Sequence, residues 1–179
     1  LFPHTLAAVK RRTGCEVVHI STDCVFSGRR GGYTEAAEAD APDYYGRTKH
    51  LGEAAELTVI RTSIIGESKN GRGLIEWARS KAGNEVEGYL NHWWNGLTCL
   101  ELCRVISGVI QRREYWQGVR HCFTEGKRYS KCDLLAWISH VYGLGLEITR
   151  TIQPCGVDRT LETIHEPGLG RDIEIVEQI

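Results

Sequence analysis

The sequence has no methionine, not even at position 1. It opens Leu1-Phe2-Pro3-His4, and the expectation is a gene product truncated at its N-terminus. It has no Cys-x-x-Cys. The seven cysteines are Cys15, Cys24, Cys99, Cys103, Cys122, Cys132 and Cys155, and no close His or Cys pair completes a zinc site around Cys99 and Cys103. No metal is expected, and the thiols read as reduced and mostly buried in a cytoplasmic protein. Long runs of one charge are absent too. With 22 basic and 23 acidic residues the net charge is −1, which points to neither nucleic acid nor an anionic membrane as partner. No apolar run approaches a membrane span, and the opening residues do not form a signal peptide. There is no internal repeat or low-complexity stretch. Finally, no G-x-G-x-x-G or G-x-x-G-x-x-G occurs. Gly143-Leu144-Gly145 and Gly168-Leu169-Gly170 lack a strand–turn–helix context and read as turns.

What is present alternates between strand and helix. A chain of 179 residues fits one domain, or one domain and part of a second, with a sizeable core. Residues 5–12 read as a helix stopped by Gly14. Residues 16–20 are a β-branched run suited to a buried parallel strand. Ser21-Thr22-Asp23 follows at its carboxyl end, where ligands bind in open parallel sheets. Residues 28–42 form a long, Gly-rich loop. Asp43 is a candidate N-cap for a helix running through Leu51, Gly52 and Ala55. Residues 57–65 are the next buried strand and 73–82 a helix. Residues 84–95 read as irregular or a short strand. Trp93 and Trp94 there suit either stacking on a ligand or core packing. Thr98 caps a helix whose apolar face is Leu100, Leu102, Val105, Ile106, Val109 and Ile110. Residues 119–123 are a strand. Ser130 and Asp133 form a capping box before a further helix. A strand follows from Glu147, and a short acidic helix over 171–178. The alternation means an α/β domain.

The stretch Tyr44-Tyr45-Gly46-Arg47-Thr48-Lys49 organises the reading of function. On a helix, Tyr45 and Lys49 stand one turn apart on one face. An ammonium beside a phenol favours the ionised form, so such a phenol can exchange a proton with a sugar hydroxyl or carbonyl near neutral pH. Taken alone, the same spacing describes an ordinary solvated helix face, and Thr22 alone is an ordinary cap.

Three segments in order give the pair its context. They are Ile20-Ser21-Thr22-Asp23-Cys24-Val25-Phe26-Ser27-Gly28, Tyr33-Thr34-Glu35, and Tyr45-Gly46-Arg47-Thr48-Lys49-His50-Leu51-Gly52-Glu53. With Arg61-Thr62-Ser63 and Trp94-Asn95-Gly96-Leu97-Thr98, the chain resembles the extended short-chain dehydrogenase/reductases, closest to the dTDP-4-dehydrorhamnose reductases. The resemblance implies a Rossmann-like parallel sheet with a small mixed α/β substrate-binding lobe. Residues 1–66 would be the carboxyl-terminal part of the dinucleotide-binding domain. Residues 67–179 would hold the lobe, interleaved with remaining Rossmann elements. It implies Thr22, Tyr45 and Lys49 as catalytic residues, and Ser21, Tyr45, Lys49, Thr62 and Ser63 around NAD(H) or NADP(H). Thr22, Asp23, Cys24 and Ile64 would face a nucleotide-sugar substrate, in a possible homodimer.

Within that resemblance, the dehydratases carry Thr-Asp-Glu where this chain has Thr22-Asp23-Cys24. A thiol replaces a carboxyl poorly, which favours plain ketone reduction over elimination. The reductases often have Tyr at this position, so Cys24 also departs from them. A small buried packing residue is its expected role. Two other readings stand beside reduction. One is a non-catalytic binding subunit, like the regulatory subunit of methionine adenosyltransferase; the other is a sugar-nucleotide epimerase. The family's Gly-rich phosphate turn and first strands have no counterpart here. The chain alone is therefore expected to hold a nicotinamide dinucleotide weakly and to leave one sheet edge uncovered.

Overall fold

The computed structural model describes residues 2–166, 168–172 and 175. In chain order the elements are α1 (Phe2–Thr13), β1 (Val18–Thr22), a 3-10 turn (Asp23–Val25), α2 (Tyr44–Leu51), β2 (Thr58–Thr62) and β3 (Ile64–Ile65). Then come α3 (Leu74–Arg79), β4 (Glu85–Tyr89), β5 (His92–Trp94), β6 (Leu97–Thr98), α4 (Cys99–Arg112) and β7 (Gly118–His121). The last are β8 (Tyr129–Ser130), α5 (Lys131–Val141), β9 (Glu147–Thr151) and β10 (Val157–Asp158).

The sheet that positions the site is parallel, in the order β1-β2-β7. Every residue of the central strand β2 is buried, as expected of a β-branched run covered on both faces. Alternation then splits its neighbours. Val59 packs with Ala7, Ala54 and Leu57 under α1 and α2. Ile60 turns the other way, to Leu97, Leu102 and Cys122 beside α4. Register sets two rows across the sheet: Ile20–Ile60–Arg120, and next to it Ser21–Arg61–His121. Helices on both faces of a parallel sheet make this a Rossmann-type α/β fold. A second core joins Ile75 and Ala78 of α3, Val86 of β4, and Leu134, Leu135 and Ile138 of α5. Beside it lie the parallel pair β4–β9 and the mixed sheet β10-β5-β8.

Several sequence expectations change. The first strand is Val18–Thr22, two residues later than its apolar run, so Thr22 ends the strand itself. The second breaks at Ser63 into β2 and β3, because Ile64 and Ile65 leave β2 to pair with β6. The helix bearing Tyr45 stops at Leu51, and Gly52 is its C-cap rather than an interior residue. A Cβ on Gly52 would lie 3.2 Å from Pro3 Cγ, so its close neighbour is α1 and not the sheet. Residues 84–95 hold two strands, β4 and β5, each stabilised by a partner distant in sequence. Only Cys122 and Cys132 of the seven cysteines are buried; Cys15, Cys103 and Cys155 are exposed. Asp43 caps α2 and Ser130–Asp133 forms its capping box, as their residue types require. The expected helix at 171–178 falls mostly outside the described residues.

Candidate active site

The carboxyl ends of β1 and β2 set Thr22 beside Thr62, as direct register partners. Both are buried. The Thr22 Oγ1 accepts the Cys24 N–H at 3.2 Å, capping the 3-10 turn, and donates to Asp23 Oδ1 at 3.1 Å. Asp23 is almost wholly enclosed. Burial raises its carboxyl above the usual range, against the Thr22 bond and the charge of Arg159. Cys24 is half-buried. Its thiol is pushed up by burial and by Asp23, and Arg159 Nη1 lies 3.6 Å from its sulfur. Arg159 comes from the far end of the chain and also donates from Nε to the Phe26 carbonyl at 3.0 Å. The Thr62 hydroxyl donates to the Ser63 carbonyl at 3.3 Å, and the Ser63 side chain helps lower the Asp23 carboxyl. Ile64 is exposed.

Helix α2 is laid against this edge by Gly46. A Cβ there would stand 2.1 Å from the Cys24 carbonyl oxygen and 2.4 Å from Ala41 Cβ, so only glycine lets the helix come this close. Asp43 fixes the helix start, accepting the Gly46 N–H at 2.8 Å. One turn on, Lys49 Nζ donates to the Ile20 carbonyl at 2.8 Å. That anchors the helix to β1 two residues before Thr22 and leaves the ammonium two further donors. Tyr45 is 58% exposed, and among the described residues its hydroxyl has no hydrogen-bond partner.

Behind the edge lies a buried polar network. Glu53 accepts from Ser21 Oγ at 2.5 Å, and from Arg61 Nε and Nη2 at 2.9 and 2.6 Å. His50 Nδ1 lies 2.9 Å from its second oxygen. Burial raises the Glu53 carboxyl, but Arg61, Ser21 and His50 together hold it below the usual range. Arg61 Nη1 reaches His121 Nε2 at 2.9 Å, and His121 Nδ1 lies 2.7 Å from the Glu162 carbonyl. An arginine can only donate and a carbonyl can only accept, so the imidazole is neutral with its proton on Nδ1. Burial accordingly lowers His121 to about 4.

Of the residues chosen from sequence, Thr22, Asp23, Cys24, Thr62 and Ser63 share one edge, and α2 brings Tyr45 and Lys49 to it. The Ser21 hydroxyl faces Glu53 instead. Trp94 packs on the second core, while Trp93 lies under the Arg128 guanidinium at 4.3 Å. Sequence reading missed Glu53, Arg61, His121 and Arg159 as site-building residues. Arg61 had a signal, since a charge inside the run Leu57–Ile65 must find a buried partner. Arg159 had none. No group of three potential metal ligands occurs among the described residues, and no helix there is long and apolar enough to cross a membrane.

The parallel sheet flanked by helices, with Thr22 ending β1 and Lys49 of α2 bonded to that strand, is that of the extended short-chain dehydrogenase/reductases, and the chain is a member of them. Within that class the chain belongs to the RmlD substrate binding domain family, whose model matches residues 1–155. A dTDP-4-keto-6-deoxy-D-glucose reductase from Streptomyces niveus is 44% identical over 68 residues, covering 34% of this chain and 24% of that protein. The crystal structure of a dTDP-4-dehydrorhamnose reductase from Clostridium acetobutylicum matches with a TM-score of 0.75 at 25% identity, over 98% of this chain and 67% of that one. Another from Bacillus anthracis, in complex with NADP, gives 0.73 at 19% identity over 91% and 61%, a likeness of fold alone. The match thus spans about a quarter of the curated relative, and about two thirds of these solved ones.

Proposed function

We propose that this site reduces the ketone of a nucleotide-linked 4-keto-6-deoxysugar with NADH or NADPH, the nucleotide being dTDP. The product would be the dTDP-linked 6-deoxysugar, used in the synthesis of rhamnose-containing or related cell-surface sugars. The observation that carries the reading is the anchoring of Lys49 on the Ile20 carbonyl, one helical turn from Tyr45 and two residues from Thr22. Both the reductases named above and the NADP complex support the substrate class and cofactor.

A bound nicotinamide would supply hydride to the ketone carbon. The residues present fit its nicotinamide end, because the Tyr45 hydroxyl is free among the described residues and Lys49 keeps two donors. Thr22 turns its hydroxyl from Asp23, a 3.1 Å bond that is long for O–H···O, to the substrate oxygen. Tyr45 gives its proton to the same oxygen as negative charge builds there. Lys49 would hold a ribose hydroxyl, and its charge would favour the phenolate left on Tyr45. Thr62 and Ser63 would line the nicotinamide pocket, while the Ser21 hydroxyl is engaged by Glu53. Asp23, Cys24 and Ile64 meet the sugar. Burial keeps Cys24 a neutral thiol, so it neither gives nor takes a proton at neutral pH, which agrees with reduction rather than elimination. The cofactor's pyrophosphate would need a Gly-rich turn that this sequence does not contain.

In an active protein carrying this site, Tyr45→Phe should lower kcat by about a hundredfold or more and leave cofactor affinity little changed. Turnover that survives Tyr45→Phe would mean another proton donor and would end this mechanism. Calorimetry of the chain alone with NADH and NADPH should show no micromolar binding, since a few hydrogen bonds of about 1 kcal/mol each do not offset the cost of fixing so large a ligand.

A further inference from the structure

A cavity of about 640 Å³ lies two strands from Thr22, on the opposite face of the sheet from α2. Its walls are the α4 face at Arg104, Gly108 and Arg112, the edge strand at Arg120, and the segment ending in Arg171. Its size suits a small molecule. Nothing in the proposed reduction uses it.

Arg120 is the residue that needs explaining. It is third in the row Ile20–Ile60–Arg120, where the two preceding side chains pack in the apolar cluster under α4. An arginine stands where the pattern asks for a hydrocarbon. It is half-buried, and among the described residues its guanidinium has no hydrogen bond or ion pair. It lies over the Trp116 ring, 4.9 Å from the centroid. Trp116 is itself a fixed platform: Nε1 donates to the Gly118 carbonyl at 3.1 Å and its backbone N–H to Thr58 Oγ1 at 3.2 Å. The other arginines are incompletely neutralised. Arg104 and Arg171 share the single carboxylate of buried Glu101, at 3.1 and 2.7 Å, and Arg112 pairs with Glu114 at 2.7 Å. Four guanidinium groups against two carboxylates leave two positive charges unbalanced, in a chain whose net charge is −1.

We propose that this cleft binds a phosphate dianion, free or carried by a small molecule, with Arg120 as its central ligand. Guanidinium donors match phosphate oxygens in pairs, and the surplus charge equals that of a phosphate monoester. The site is independent of the proposed reduction.

The test is calorimetry of the purified chain at low ionic strength with inorganic phosphate, pyrophosphate and adenosine monophosphate. Saturable binding that weakens with salt is expected. Tighter binding of the nucleotide assigns a phosphate ester, and equal binding assigns free phosphate. Arg120→Gln should weaken binding at least tenfold, and the exposed Arg112→Gln severalfold with no change in thermal unfolding. Arg128→Gln, in a separate basic cleft lined also by Arg30 and Lys127, should leave it unchanged. No binding of any probe, or equal loss in Arg128→Gln and Arg120→Gln, would overturn the proposal.

Discussion

On the α2 side of the sheet the row Ser21–Arg61–His121 is polar and tied together by Glu53; on the α4 side the neighbouring Ile20 and Ile60 are apolar and pack on Leu97 and Leu102. Both sides are buried, but they constrain the chain differently. Apolar contact is non-directional and tolerates small shifts. A carboxylate bonded by a serine, two guanidinium nitrogens and an imidazole fixes position and angle. The directional side is the one that carries Tyr45 and Lys49, whose proposed service to a reacting carbonyl would depend on placement to within about half an ångström. The network also continues through His121 to the Glu162 carbonyl. The residues beside that point join the loop after the 3-10 turn, since Glu35 accepts from the His121 and Ile164 backbone and the Thr163 hydroxyl. Helix α2, the sheet, the Glu35 loop and the segment 162–164 are thus held by one set of hydrogen bonds.

Breaking the polar side outright should have the largest effect. Arg61→Ala would leave Glu53, 3% exposed, as an uncompensated buried charge. A loss of about 3–5 kcal/mol is expected for removing one partner of such a pair. Arg61→Lys should fall between, because an ammonium cannot make the paired bonds of a guanidinium. Chemical denaturation of the three proteins measures this. A loss of less than about 1 kcal/mol for Arg61→Ala would mean the network does not hold the fold.

Acid should loosen the same side without any mutation. His121 is neutral when folded, with its value lowered from 6.5 to about 4 by burial. Between those values the unfolded chain takes up a proton that the folded chain refuses, so stability falls as pH drops from 6.5 toward 4. The loss from this group reaches about 3 kcal/mol and then levels off. Glu53 and Glu35 are both held below 4.5 when folded, the first by Arg61 and the second by the backbone donors of His121 and Ile164, each against burial. Their stabilisation is complete above 4.5 and disappears as pH falls through their lower folded values. Denaturation across pH should therefore show two stages of loss. His121→Gln, which retains a donor and an acceptor, should shrink the upper stage to what His19 and His92, also lowered by burial, contribute, and keep the lower. An unchanged upper stage would place that titration on another group.

The sequence made the apolar side easier to read than the polar one. Ile60, Leu102, Val105 and Val109 announce themselves by period, since burial of hydrocarbon is set by local spacing. Tyr45, Lys49 and Thr22 were legible because a helical interval and a strand end bring them to one edge. The network was not. Glu53 meets Ser21 across 32 residues, His121 meets Arg61 across 60 and Arg159 reaches Cys24 across 135, and no local pattern encodes such pairings. Strand ends misled for a similar reason. Ile64 and Ile65 read as a continuation of β2, but their partners lie on β6, and pairing rather than propensity decides where a strand stops.

The smallest change sharpens the comparison most. Ile60→Val removes one methylene from a fully buried position on the apolar side. It should cost about 0.5–1.5 kcal/mol, the range for this exchange in a packed core. Because Ile60 faces α4, the cost should stay there. The backbone amide signals of α2 from Tyr44 to Leu51 should keep their chemical shifts in Ile60→Val. The same signals should move in Arg61→Lys, although Arg61 is the very next residue along β2. The two side chains leave the strand in opposite directions, so sequence adjacency is no link between them. If Ile60→Val moved the α2 signals as much as Arg61→Lys, the faces would be coupled through the strand. The polar network would then have no special part in placing Tyr45 and Lys49.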